Sequence, residues 1–175
     1  DLLSKINSKT FLWIELGLQT INDNTAEFLR RGYNLSQFNY AVNILKSKNI
    51  KVVAHLIIGL PGESETQIID SVKYISDLNI WGIKLHMLHI IRNTDLEVYY
   101  NKNNFKILSQ EEYVNIICDA LECLSPNIVI HRITGDGKKS DLIEPLWSLN
   151  KLKVLSDIDM ELKKRQSKQG ENAAL

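Results

Sequence analysis

Five polar side chains interrupt otherwise apolar runs of this 175-residue sequence: Glu15 and Gln19 in "FLWIELGLQ", His55 in "KVVAHLII", and Lys84 and His86 in "WGIKLHMLHI". A carboxylate, an amide, two imidazoles and an ammonium can transfer protons, bind a polar ligand, or, with His131 joining His55, His86 and Glu15, ligate a metal. Side chains alternate across a strand. Leu12, Ile14, Leu16 and Leu18 therefore share one face, with Trp13, Glu15, Gly17 and Gln19 opposite. Val52, Ala54, Leu56 and Ile58 oppose His55, Ile57 and Gly59, and Ile83, Leu85 and Met87 oppose Lys84, His86 and Leu88. Each polar residue taken singly is equally a paired core group, with Glu15 bonded to Lys84. Five on one face point to a site.

The stretch "HLIIGLPGESETQIIDS" (His55 to Ser71) places a glycine and proline knot after one of these strands. It lacks the Gly-Lys-Ser/Thr ending of a P-loop and the GxGxxG spacing of a dinucleotide fold, and Pro61 removes a backbone donor. Glu63 and Glu65 at the start of the following helix would repel an anion. The knot is a turn, not a phosphate cradle.

Strands are predicted over Phe11–Leu18, Lys51–Ile58, Trp81–Ile90 and in "NIVIHRIT". Between them come a short helix capped by Asn24 or Asp23 and running to Arg31, a helix capped by Ser36 and running to Lys48, and one opened by Ser64 or Glu65. A helical turn falls in "RNTDLEVYYNKNNFKI", Ser109 and Glu112 form a capping box for a helix over Glu111–Leu124, and an amphipathic helix closes the pattern. Alternating, nearly continuous apolar strands and helices indicate an α/β fold with a parallel sheet. Helices on both faces would bury the polar set at high cost. A barrel or half barrel gathers it in an interior near the C-terminal strand ends.

Lys plus Arg and Asp plus Glu are 21 each and 44% of residues are hydrophobic, so the chain has a core and no global field for nucleic acid or an anionic membrane. No apolar run has the length of a membrane span and no signal segment opens the chain, which makes the cytoplasm the default compartment. Cys118 and Cys123, five positions apart in a predicted helix, read as reduced thiols.

"WIELGLQTINDNTAEFLRRGY" followed by "VVAHLIIGLPGES" resembles the radical S-adenosylmethionine (SAM) superfamily, in the branch of the Elongator catalytic subunit and the oxygen-independent coproporphyrinogen oxidases. "KLHMLHIIRNTDL", "HRITGD" and "LWSLNKLKVL" resemble an Elongator-like bacterial family, and the likeness runs from Thr10 to about Gly170. It implies the second half of a partial (β/α)6 TIM-like barrel plus a C-terminal strand and helices. Residues 1–108 would be the last three barrel strands and their helices, 109–168 an αβα extension, and 169–175 a polar tail, disordered or extraneous to the fold. On the resemblance, Gln19 lies near the SAM ribose, Arg31 holds the methionine carboxylate, and His55 falls where relatives carry a ribose-binding aspartate. Ile57 and Gly59 border the adenine, and His86 to Leu88 close that site. Glu15 joins this cofactor set, and Lys84, His86 and Arg92 are substrate candidates.

The resemblance also implies a [4Fe-4S] cluster on Cys-x3-Cys-x2-Cys, a spacing that Cys118 and Cys123 do not have. The chain is therefore expected to begin at about the fourth strand of the barrel, with roughly ninety residues preceding it at about 30 per unit. The intact protein would cleave SAM to a 5′-deoxyadenosyl radical, with tRNA wobble-base modification as the reaction suggested by relatives. A noncatalytic module binding a nucleoside or partner, and a His-based metal hydrolase half barrel, are the alternatives. The 175 residues alone are expected to be inactive and to hold no metal. Iron retention with SAM cleavage by this chain, assayed without oxygen under reducing conditions, would overturn that expectation.

Overall fold

The alternation of strand and helix closes into α1 (Leu2–Asn7), β1 (Trp13–Gln19), α2 (Asp23–Phe28), α3 (Leu35–Ser47), β2 (Lys51–Ile58), α4 (Glu65–Asp77), β3 (Gly82–Met87), β4 (Ile90–Ile91), α5 (Asp95–Asn103), α6 (Gln110–Cys123), β5 (Val129–Arg132), β6 (Leu142–Glu144), a 3-10 turn at Leu146–Leu149, and α7 (Lys151–Arg165). The computed structural model describes residues 2–135 and 137–173; Asp1, Asp136 of "HRITGD" and the last two residues of the tail lie outside them. Four strands pair in parallel in the order β1-β2-β3-β5, and β4 and β6 form a separate antiparallel pair. This is the α/β parallel sheet that the periodicity predicts.

The core lies on one face of the sheet. Val52, Ala54, Leu56 and Ile58 of β2 and Ile83, Leu85 and Met87 of β3 pack with Phe38 and Val42 of α3, Val72 and Ile75 of α4, and Tyr113, Ile117 and Leu121 of α6. Each fully buried aliphatic side chain contributes about 1.5–3 kcal/mol over leaving it in water. Val154 and Ile158 seat α7 on this layer, and Arg165 at its end pairs with Asp119 at 2.5 Å and Glu161 at 3.0 Å. Beyond α7, Gln169 Nε2 donates to Ser125 O and Ile128 O at 2.8 Å each, so the start of the polar tail is tied down.

Three local expectations are corrected. Asn22, not Asn24 or Asp23, caps α2, its side chain accepting from the backbone of Asn24 and Thr25; the helix stops at Phe28 because Arg30 adopts φ 56°. Asn34, not Ser36, caps α3 in a reciprocal capping box with Gln37. The strand expected to run to Ile90 leaves the sheet at Met87. Its partner β2 turns away at Gly59, where φ is +88°, and beyond Leu88, which donates to Ile58 O at 2.9 Å, the chain pairs with β6 instead.

Gly59 and Gly62 both have positive φ, which strains any residue with a Cβ. A Cβ on Gly59 would also lie 3.0 Å from Leu108 Cδ1, whereas one on Gly62 meets nothing within 4 Å. Gly62→Ala is expected to lose about 1 kcal/mol and Gly59→Ala about 2 kcal/mol of unfolding free energy in urea titrations. Wild-type stability in either variant would contradict the turn geometry.

Candidate functional site

The face of the sheet opposite the core carries Glu15, His55, Lys84 and His86, and it is open: Trp13 is 41% exposed and the Glu15 side chain 34%. Register places them together, because His55 of β2 pairs with Lys84 of β3 and Ile57 with His86, while Glu15 of β1 lies opposite Val53. Glu15 Oε2 accepts from Lys84 Nζ at 2.5 Å and lies 2.8 Å from His55 Nε2; Trp13 Nε1 donates to Glu15 Oε1 at 3.2 Å. The bond from Lys84, with smaller contributions from Trp13 and His55, holds the Glu15 carboxyl at about 2, so it is a carboxylate near neutrality. The His86 ring lies 5.4 Å from that of His55. Burial, reinforced by the neighbouring His55, Arg132 and Lys84, pushes it down to about 4. It is a neutral imidazole whose buried Nε2 makes no hydrogen bond within the described residues.

The remaining candidates stand at the strand ends or apart. Gln19 closes β1 with φ 64°, and its Nε2 lies 2.5 Å from where a Cβ on Gly17 would sit, so the amide folds back over that glycine. Ile57 is half-buried and Gly59 begins the turn after β2. Arg31 does not join the group: its guanidinium side chain is 2% exposed and bonds backbone carbonyls and Asp23. Arg92 is exposed, and its backbone N–H donates to Asp141 O, away from the Glu15 cluster. His131 packs on Gly82 and against Trp81, ring centroids 4.6 Å apart. Among the described residues no three His, Cys, Asp or Glu side chains are grouped to hold a metal ion. Cys118 is buried beside Ile158, its thiol pushed up to about 11 by burial.

Two groups were not legible as part of the site. The Thr20 hydroxyl donates to the Glu63 carboxylate, locking the "GLPGES" turn to the end of β1. Burial raises the Glu63 carboxyl, against the opposing pull of the Thr20 and Thr25 hydroxyls. The two partners are 43 residues apart and carry no common local signal. Arg132, beside His86, lies where β5 bulges against β3, which strand alternation alone does not foresee.

The Radical SAM superfamily model matches residues 1–75 and the Radical SAM C-terminal domain model residues 80–164. The chain belongs to the radical SAM superfamily. It is 41% identical over 170 residues to Bacillus subtilis "Uncharacterized protein YtqA", covering 97% of this chain and 53% of that protein. It is 28% identical over 140 residues to the tRNA uridine(34) acetyltransferase of Methanocaldococcus jannaschii, covering 78% of this chain and 26% of that one. The structure of archaeal Methanocaldococcus infernus Elp3 with an N-terminal deletion superposes with TM-score 0.81 at 20% identity, over 95% of this chain and 39% of that chain, which establishes the shared fold. The chain spans about half the length of the first curated relatives it matches.

Radical SAM membership implies SAM and a [4Fe-4S] cluster. The buried His86 Nε2 has no partner of its own among the described residues, Gly59 turns the chain with positive φ, and the Gln19 amide stands at the end of β1. Among the described residues no helix is long and apolar enough to cross a membrane.

The acid sensitivity of this cluster has a definite sign. Glu15 is held at about 2, below its ordinary 4.5, so its stabilisation is present above pH 4.5 and is lost as pH falls toward 2. His86 is held at about 4, below 6.5, so folding favours its neutral form and stability falls as pH drops from 6.5 through 4. In urea titrations across pH 2.5–7, Glu15→Gln is expected to be less stable at neutral pH and to lose less stability between about pH 4.5 and 2.5 than wild type. Parallel curves in that lower window would refute the role given to the Lys84 bond.

Proposed function

We propose that this chain supplies the nucleoside-binding and substrate-facing half of a radical SAM enzyme that modifies tRNA. The observation that carries the first part is the open polar face: in a parallel sheet of this kind, ligands sit at the C-terminal strand ends, where Gln19 ends β1, Ile57 pairs with His86 and Gly59 follows β2, with His55 one pleat earlier. Gln19 and His55 would bond the ribose, the backbone of Ile57 to Gly59 would border the adenine, and His86 would satisfy its orphaned nitrogen on the ligand. Glu15 orients His55 from below through their 2.8 Å contact. Together with a reduced cluster, bound SAM would supply the one-electron chemistry that removes a hydrogen atom from the substrate, and these residues would hold its nucleoside part. Lys84, which stays tethered to Glu15, is the substrate-side group within the cluster, and the exposed Arg92, outside it, is the second candidate.

The tRNA part rests on relatives that carry the names "tRNA uridine(34) acetyltransferase" and "Elongator complex protein 3". With no net charge on this chain, recognition would be local. The test uses the full-length protein, reconstituted with iron and sulfide without oxygen and reduced in the presence of SAM. Expected are 5′-deoxyadenosine formation, a rise on adding tRNA, and a fall of about tenfold in Gln19→Ala and in His55→Ala, the loss of one ligand hydrogen bond each. SAM binding without any 5′-deoxyadenosine would favour a noncatalytic nucleoside module. Indifference to tRNA would remove the substrate assignment.

A further inference from the structure

The end of β1 is built around one strained residue. Gln19 has φ 64°, and Thr20 N donates to Leu18 O at 2.8 Å across it. A hydrogen bond from residue i+2 to residue i with positive φ between them is a γ-turn of the rare, strained hand. β1 also slips register against β2 here, Leu16 pairing with Ala54 and Gln19 with Leu56, so the turn absorbs one extra residue. Such a conformation persists only where its surroundings over-determine it.

The surroundings are Arg31 and Tyr33. Arg31 NH1 donates to Leu18 O and to Thr20 O at 2.8 Å each, bracketing Gln19 on both sides. Its Nε donates to Tyr33 O at 2.7 Å and its NH2 to Asp23 Oδ1 at 2.8 Å, and the guanidinium lies 5.1 Å from the Tyr33 ring centroid. The Tyr33 hydroxyl donates to Gly17 O at 2.7 Å, on the far side of the turn. Four of the five guanidinium donors are thus engaged, in a side chain 2% exposed. Gly17 completes the seat, since a Cβ there would occupy the position of the Gln19 amide.

We infer that Arg31 is a positioning residue: with Tyr33 and Gly17 it clamps the strained turn that aims the Gln19 amide into the open face. This rests on the SAM reading above for what Gln19 meets, but the clamp is a property of the chain alone. A lysine retains the charge and cannot bridge two carbonyls while also bonding Tyr33 and Asp23.

The test compares full-length wild type, Arg31→Lys and Tyr33→Phe by equilibrium dialysis with two ligands, SAM and decarboxylated SAM, and by amide hydrogen exchange of the unliganded proteins. Arg31→Lys is expected to weaken both ligands, decarboxylated SAM by about tenfold, as the strained turn relaxes. Exchange should rise in the peptide covering residues 17–21, and Tyr33→Phe should give the same pattern at smaller amplitude. Loss confined to SAM, with decarboxylated SAM unaffected, would overturn the inference, because ligand binding at the turn would then not depend on the clamp. If wild type binds neither ligand the SAM reading fails, and exchange still decides the clamp: no change over residues 17–21 in either variant refutes it. Should Arg31→Lys fail to fold, Tyr33→Phe, which keeps the ring and removes one bond, carries the comparison.

Discussion

One carboxylate links three strands. Glu15 projects from β1, lies against His55 of β2 and accepts from Lys84 of β3, so the polar face is organised around a single anion between two neighbouring side chains. A charged group on a sheet face is costly unless it is paired and partly hydrated. The face meets both conditions, being open to solvent while the other face is sealed by α3, α4 and α6. That asymmetry distinguishes this sheet from a doubly wound one and leaves two imidazoles available at the strand ends.

The strand ends are then fixed by contacts that have little to do with the sheet. Thr20 and Glu63 join the end of β1 to the turn after β2, and Ser71 of α4 accepts from the backbone of Ile21 at 3.3 Å. The turn after β2 is thereby held by its neighbour as well as by its own glycines. A ligand approaching the strand ends meets a preorganised backbone, which lowers the ordering cost of binding.

The electrostatics of the two imidazoles differ although they are near neighbours. His55 has a carboxylate on Nε2, and His86 has burial and nearby cations around it with no partner for its own Nε2. A group that is neutral, dry and unsatisfied is suited to a hydrogen bond with an uncharged partner. The glycine and proline turn, poorly built for phosphate, lies beside it.

Much of the architecture follows from the sequence by itself. β-branched runs with period-two polar residues determine the strands and which side chains share a face, so Glu15, His55, Lys84 and His86 were legible as one group; Ser64 and Ser109 as caps followed from local chemistry. The tertiary structure alone decided the rest. Asn22 and Asn34 outcompeted neighbouring cap candidates because of how the chain enters each helix. β3 ended early because its partner turned away, and Arg31, an exposed-type residue in sequence terms, was drawn into the backbone of the Gln19 turn. Alternation and capping are properties of a few adjacent residues, whereas a strained turn and the guanidinium that holds it are a contact between segments, visible only once the chain has folded.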